Sequence, residues 1–269
     1  MRIQPFFLES AGHRCFALYR APEGGTNRNV LFVPAFNEEM NRCRSMLGFA
    51  AKALAEQGIG SLLLDLHGTG ESDGDHDDAR WALWLQNLDS AVQWLEAHGG
   101  CEALIGVRLG AMLAADWSRQ SPQARRLLLW QPVLDGLSHM TQFLRVRIAA
   151  NMDRSDMPKE TTQTMREQWA RGESVEVAGY AMHPELAQAI DQRKLVALPP
   201  PAVVAVDWFS HLNPATGGAT PAETQVIEAW RQAGVNVNAH CFEGQAFWQL
   251  HQRTAALDLV DRTCKALAA

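Results

Sequence analysis

Gly106-Val107-Arg108-Leu109-Gly110 has the spacing of a G-x-S-x-G nucleophile elbow, the sharp strand-to-helix turn on which a catalytic serine stands clear of a sheet. The flanks agree with that geometry. Ala103-Leu104-Ile105 reads as a short buried strand feeding the turn, and a helix is predicted from Leu109. The central residue does not agree. Arg108 carries a permanently charged guanidinium with five donors and no acceptor, so it cannot attack a carbonyl. The pentapeptide predicts a scaffold and removes the chemistry usually performed on it.

Outward from the elbow, a rhythm of apolar run, loop and amphipathic segment repeats. Residues 30–33, 61–65, 127–130, 202–206 and 235–239 read as further buried strands. Met46, Leu47, Ala50 and Leu54 share one helical side that Gly58 terminates, and Trp81, Trp84, Leu85, Leu88, Val92 and Leu95 form a stripe that reads as core. Thr220-Pro221-Ala222-Glu223 is a capping box with proline at the first helical position, predicting a helix to Gln232. This alternation predicts an α/β fold with helices on both faces of a mostly parallel sheet. Residues 1–136 and 201–269 are assigned to that core. The stretch 137–200 breaks the rhythm and reads as a small helical cap insertion, with Pro199-Pro200-Pro201 marking the return to the sheet.

Composition narrows the function classes. A chain of 269 residues that is 47% hydrophobic can bury a core as one α/β domain. A net charge of −6 with scattered arginines argues against a nucleic-acid surface, and no apolar run is long enough to span a membrane. Residues 1–7 lack the apolar core and cleavage site of a signal peptide. Cysteines 15, 43, 101, 241 and 264 are odd in number and contain no C-x-x-C, which points to free thiols in the cytoplasm. No metal motif is present, and the acidic loop Asp73–Asp78 lacks the EF-hand pattern and reads as the cap of the following helix. Gly68–Gly74 misses the third glycine of a dinucleotide fingerprint, so no cofactor is expected.

Three separated segments support a family resemblance. Asp65-Leu66-His67-Gly68-Thr69-Gly70-Glu71-Ser72 resembles the D-x-x-G-x-G-x-S loop after strand four of α/β-hydrolases, with Pro34–Glu39 in the oxyanion-loop position before it and the elbow after it. More narrowly, the segments 36–44, 78–85 and 106–111 resemble the exosortase A system-associated hydrolase 2 family, over nearly the whole chain and weakest in the cap. The resemblance implies an α/β-hydrolase-fold protein encoded with bacterial exopolysaccharide and protein-sorting genes, in which the arginine elbow is a family feature.

Fold does not license function, so each catalytic position needs its own test. The acid slot after strand seven falls near Ser210 and His211, with Asp207 about three residues too early, while Asp135 could supply an acid after strand six. At the histidine position, Gly244-Gln245-Ala246-Phe247 places glutamine, which has no titratable nitrogen. His211, His240 and His251 are candidates for a displaced base, and Ser72, Ser138, Cys43 and Cys101 for a nucleophile, although none of the latter stands on an elbow and loop or core roles suit all of them. Asp135, Glu38, Glu39 and His211 remain as catalytic candidates.

Arg108 itself has two readings. Beside the N–H of Leu109 at a helix N-terminus it could receive a carboxylate or phosphate, with Phe36 and Asn37 on the rim and Gln245 nearby. Alternatively, Glu38 or Glu39 pairs with it and fills the pocket. Three function classes follow: a catalytically silent protein binding a small acyl or anionic ligand within an exopolysaccharide and exosortase system, a hydrolase or acyl-transfer enzyme with an unconventional site, and a structural partner subunit.

Overall fold

The computed structural model describes residues 3–24, 27–121, 126–151, 160–213, 217–249 and 254–268. It opens with an antiparallel hairpin, β1 (Ile3–Ser10) and β2 (His13–Arg20), which the apolar-run reading did not single out. The runs it did single out become β3 (Asn29–Val33), β4 (Gly60–Leu64), β5 (Ala103–Val107) and β6 (Arg126–Trp130). Every residue of β3 and β5 is buried, as strands covered on both faces require. A short hairpin, β7 (Val175–Val177) with β8 (Tyr180–Met182), stands apart, and β9 (Ala205–His211) and β10 (Val237–Phe242) return to the main sheet. That sheet has eight strands in the order β1-β2-β4-β3-β5-β6-β9-β10, parallel from β4 onward.

Helices α1 (Glu38–Glu56), α2 (Trp81–Ala97), α3 (Leu109–Gln120), α4 (Gly136–Asn151), α5 (Thr162–Ala170), α6 (Pro184–Asp191), α7 (Pro221–Gln232) and α8 (Leu257–Ala268) complete the chain. Apolar side chains of α1 and α8 pack together in one core cluster, and those of α2, α3 and α7 in another. The tryptophan stripe of α2 is core, with Trp81 and Trp84 both buried. The Thr220 capping box forms as read, its hydroxyl accepting from the Glu223 N–H.

Two local expectations are corrected. The run 202–206 is not a strand: Val203 is 86% exposed, and the strand begins at Ala205, beyond the reach of the three prolines, which cannot donate to a sheet ladder. Asp78 does not cap α2, whose N-cap is Arg80; it closes a capping box with Asp75 around a 3-10 turn at His76–Asp78 instead. Between β6 and β9 lie α4, α5, the β7-β8 hairpin and α6, so this insertion is mixed rather than purely helical.

Candidate functional site

The elbow is present as backbone geometry. Arg108 sits at φ 56°, ψ −116° as the N-cap of α3, in a region that costs a non-glycine residue roughly 1–2 kcal/mol. The flanking glycines are needed for contact rather than flexibility. A Cβ on Gly106 would come within 2.5 Å of the Ala111 Cα, and one on Gly110 within 2.2 Å of the Pro34 carbonyl oxygen. Their absence of side chains lets α3 rise directly from β5 and press against the end of β3.

Arg108 is not alone in its strain. Asn37, the N-cap of α1 after β3, has φ 49°, ψ −124°, and Gln131, after β6, has φ 43°. Because β3, β5 and β6 are neighbours, three strained side-chain-bearing residues line up along the carboxyl edge of the sheet. Such clustering is characteristic of sites where the surrounding structure over-determines the backbone.

All three guanidinium nitrogens of Arg108 are engaged. Its Nε donates to both oxygens of Glu39 at 3.2 Å, Nη2 to Glu39 Oε1 at 3.1 Å, and Nη1 to the Gln131 carbonyl at 3.0 Å. The guanidinium also lies 5.3 Å from the ring of Trp248. With the Arg108 and Glu39 side chains only 14% and 19% exposed, this is a half-buried ion pair rather than a surface one. The acid beside Arg108 is one from the chain itself, Glu39. Glu38 instead accepts from the Tyr180 hydroxyl at 2.9 Å, joining α1 to the insertion. That contact, after burial, pushes the Tyr180 hydroxyl up to about 12.

The remaining candidates are placed as follows. Phe36, Asn37 and Leu109 lie around the elbow, all buried. Gln245 is exposed, and the β10 loop reaches Arg108 through Trp248 three residues later. Asp135 caps α4 by accepting from the Ser138 N–H at 2.7 Å and lies 3.7 Å from Lys194, so it serves the insertion. Ser210 and His211 end β9 rather than follow it, and His211 Nε2 contacts the Gly244 carbonyl at 2.6 Å with its ring 5.7 Å from Trp248. Trp248 therefore touches both His211 and Arg108. Asp207, inside β9, is bonded by Arg126 at 2.8 Å and His240 at 2.9 Å. Burial would raise its pKa, but those two partners outweigh it and hold the carboxyl below its ordinary range. Ser72 accepts from the Phe16 N–H and donates to the Asp65 carbonyl, as a loop residue would. Cys43 and Cys101 are buried, and burial pushes the Cys43 thiol far up, away from a reactive thiolate. His251 lies outside the described residues.

Two cavities flank Phe36 and Asn37. The one behind the elbow, walled by Leu66, Trp81, Trp84 and Leu113, has about 10 Å³ of free space and is filled by its own side chains. The other opens toward the insertion and holds about 160 Å³, against the roughly 10–15 Å³ that a single water needs. Glu38, Glu39, Arg42 and His139 give it a polar wall, and Phe143 an apolar one. Neither Arg42 nor His139 was singled out from sequence, since α1 and α4 bring them to one cavity only in the folded chain. Burial pushes His139 down to about 4, so its imidazole is neutral at pH 7. Among the described residues, no group of three His, Cys, Asp or Glu side chains converges as a metal would need, and no helix is long and apolar enough to cross a membrane.

No protein-family model and no curated protein matches the chain in sequence. Solved structures do match in shape. Est1E from Butyrivibrio proteoclasticus, solved with ferulic acid, superposes with a TM-score of 0.66 at 13% identity, covering 98% of this chain and 97% of its own. A thermostable carboxyl esterase from Bacillus coagulans, solved with glycerol, gives 0.64 at 14% identity over 99% and 97%. The α/β hydrolase GrgF from Penicillium sp. sh18 gives 0.64 at 15% identity over 100% and 96%. Sheet order, elbow geometry and these superpositions agree, and the chain has the α/β-hydrolase fold.

Proposed function

We propose that this chain is a ligand-binding protein on a hydrolase scaffold, without standard serine-hydrolase chemistry, that serves a bacterial exosortase and exopolysaccharide system in the cytoplasm. The observation that carries the silent part is the state of Arg108. The elbow position holds a guanidinium bonded to Glu39 and the Gln131 carbonyl, and the loop that would bring a histidine brings Trp248. The association with exosortase and exopolysaccharide proteins rests on the sequence resemblance. The ligand is an acyl-type or anionic small molecule held in the 160 Å³ cavity beside the elbow, since the space behind the elbow is closed. An anion binding to Arg108 itself must first displace Glu39.

Fluorophosphonate labelling of the native protein tests this reading. We expect no stoichiometric adduct; a one-to-one serine adduct overturns it.

A second reading, an enzyme with an unconventional site, draws on one observation. The neutral imidazole of His139 shares the cavity with the carboxylates of Glu38 and Glu39, the residue types of general acid–base work. Turnover of ester or thioester substrates that disappears in His139→Phe favours it over the silent protein.

A further inference from the structure

Glu38 and Arg42 stand one turn apart on α1, and both line the cavity that opens toward the insertion. A glutamate four residues before a basic residue is the favourable order for an ion pair along a helix. Here that pair does not form. Glu38 Oε1 accepts from the Tyr180 hydroxyl of β8 at 2.9 Å, while Arg42 Nη1 donates to the carbonyl of Gln249, in the loop after β10, at 3.2 Å. Two separate elements thus hold opposite charges apart in one wall, and among the described residues neither charge has an ion-pair partner. The other carboxylate of the wall is already answered, since Arg108 bonds both oxygens of Glu39.

How an acyl compound fares against this wall depends on its head group. A carboxylate accepts from Arg42 but is repelled by Glu38. An ester is neutral and its carbonyl accepts from Arg42, yet it has no hydrogen to offer Glu38. A secondary amide carries its carbonyl and its N–H on opposite sides of one planar unit, so it accepts from Arg42 and donates to Glu38 at once. Hydrogen bonds to charged partners are the stronger kind, and the amide makes both of its bonds to such partners. A zwitterion would also answer both charges. It would bring two full charges against Phe36, Phe143 and Val146, however, a far costlier burial than that of a neutral amide with both groups bonded.

The rest of the wall suits the acyl chain. Phe36 and Phe143 stand 5.4 Å apart, edge to face, and with Val146 they give the chain an apolar bed.

From this juxtaposition of Glu38 and Arg42, held apart from each other beside Phe36 and Phe143, we infer that the cavity binds an N-acyl amine, its secondary amide set between the two charges and its acyl chain on the rings. The inference rests on the ligand-binding reading above and names which acyl chemistry that site takes.

Calorimetric titration of the full chain tests it with N-methylhexanamide, its isostere methyl hexanoate, and hexanoate. One-to-one binding of the amide is expected, tighter than that of the ester by about tenfold, because the ester has an oxygen where the amide has its N–H. Glu38→Gln keeps an acceptor for Tyr180 but removes the charge, and it should close most of that gap. Arg42→Gln should weaken amide and ester by a similar factor, since both carbonyls accept from it. Ester or hexanoate binding as tight as the amide, or tighter, overturns the amide assignment and leaves the ligand-binding reading standing. Amide binding that either variant leaves unchanged overturns the assigned site. Failure of all three probes to bind overturns the inference together with that reading. Hydrolysis of the ester or the amide, by contrast, overturns the silent reading and not this one.

Discussion

At Arg108 two costs and one gain meet in a single residue. Its φ of 56° strains the backbone, and its guanidinium is drawn out of water to 14% exposure; the bidentate bond to Glu39 offsets both. Removing one partner leaves the other charge half-buried and unmet, which is the expensive way to break such a pair. Arg108→Ala is therefore expected to lower unfolding free energy by roughly 1–3 kcal/mol. Adding Glu39→Ala to that variant should cost clearly less than Glu39→Ala in the native background. Urea denaturation of the four proteins of this cycle gives the coupling, and additive effects would mean that the pair contributes nothing. His139 supplies a pH dependence. Its folded pKa, about 4, is below the 6.5 of an ordinary histidine, so between those values the unfolded chain takes up a proton that the folded chain refuses. Stability should fall as pH drops from 6.5 toward 4, by about 1–3 kcal/mol, and the fall should be shallower in His139→Phe. A denaturation series over that range that shows the same slope for both proteins contradicts this. The Arg108–Glu39 pair was one of two outcomes legible in the sequence, because an acidic stretch follows the strand beside the elbow. Trp248, Arg42 and His139 were not legible, because no spacing rule links residues that meet only when separate loops and the insertion close on one edge.

Elements obeyed local chemistry where that chemistry was strong. The Thr220 box, the α2 stripe and the four central strands form close to their expected bounds, since capping atoms and apolar period act within a few residues. The displaced β9 shows the limit: apolar residues at 202–206 mark a strand only if their backbone can join a ladder, and three preceding prolines delay it. The β1-β2 hairpin escaped notice because β1 is mostly exposed or half-buried and holds Pro5, a residue that argues against a strand except at a sheet edge. Element docking makes its own prediction through two helical glycines. A methyl group on Gly110 would lie 2.2 Å from the Pro34 oxygen and 2.4 Å from that of Val33, both backbone atoms that cannot swing aside. Gly110→Ala should therefore destabilise the fold by about 3 kcal/mol, the upper end for overpacking. At Gly48, inside α1, a Cβ meets nothing within 4 Å, and Gly48→Ala should stabilise by about 0.5–1 kcal/mol through helix propensity alone. Thermal unfolding of both variants checks the contrast, and a shift of the same sign in each would break it.

For the whole molecule, catalysis on this fold is a property of three loops delivered to one edge of the sheet, so no single position carries it. Here the loop after β5 delivers a guanidinium, and the loop after β10 delivers the indole of Trp248 while Gln245 stays in solvent. Asp207, the acid nearest the usual place, is held inside β9 by Arg126 and His240, and Asp135 is taken up by α4 and Lys194. Replacing the arginine changes only the first of these deliveries. A serine at 108 would inherit the strained turn and the neighbouring N–H of Leu109, yet it would have no imidazole to take its proton and would face Glu39, a carboxylate released from its ion pair and repelling any developing oxyanion. Arg108→Ser should accordingly show no esterase turnover above background on activated aryl esters and no stoichiometric fluorophosphonate adduct. Arg108→Ser combined with Gln245→His should be no better, because position 245 is exposed while Trp248, three residues later, takes the place beside residue 108. Activity in the single variant would reveal a base already in place, with His139 the first residue to replace; activity in the double variant alone would mean that the β10 loop moves past Trp248 to close on the site.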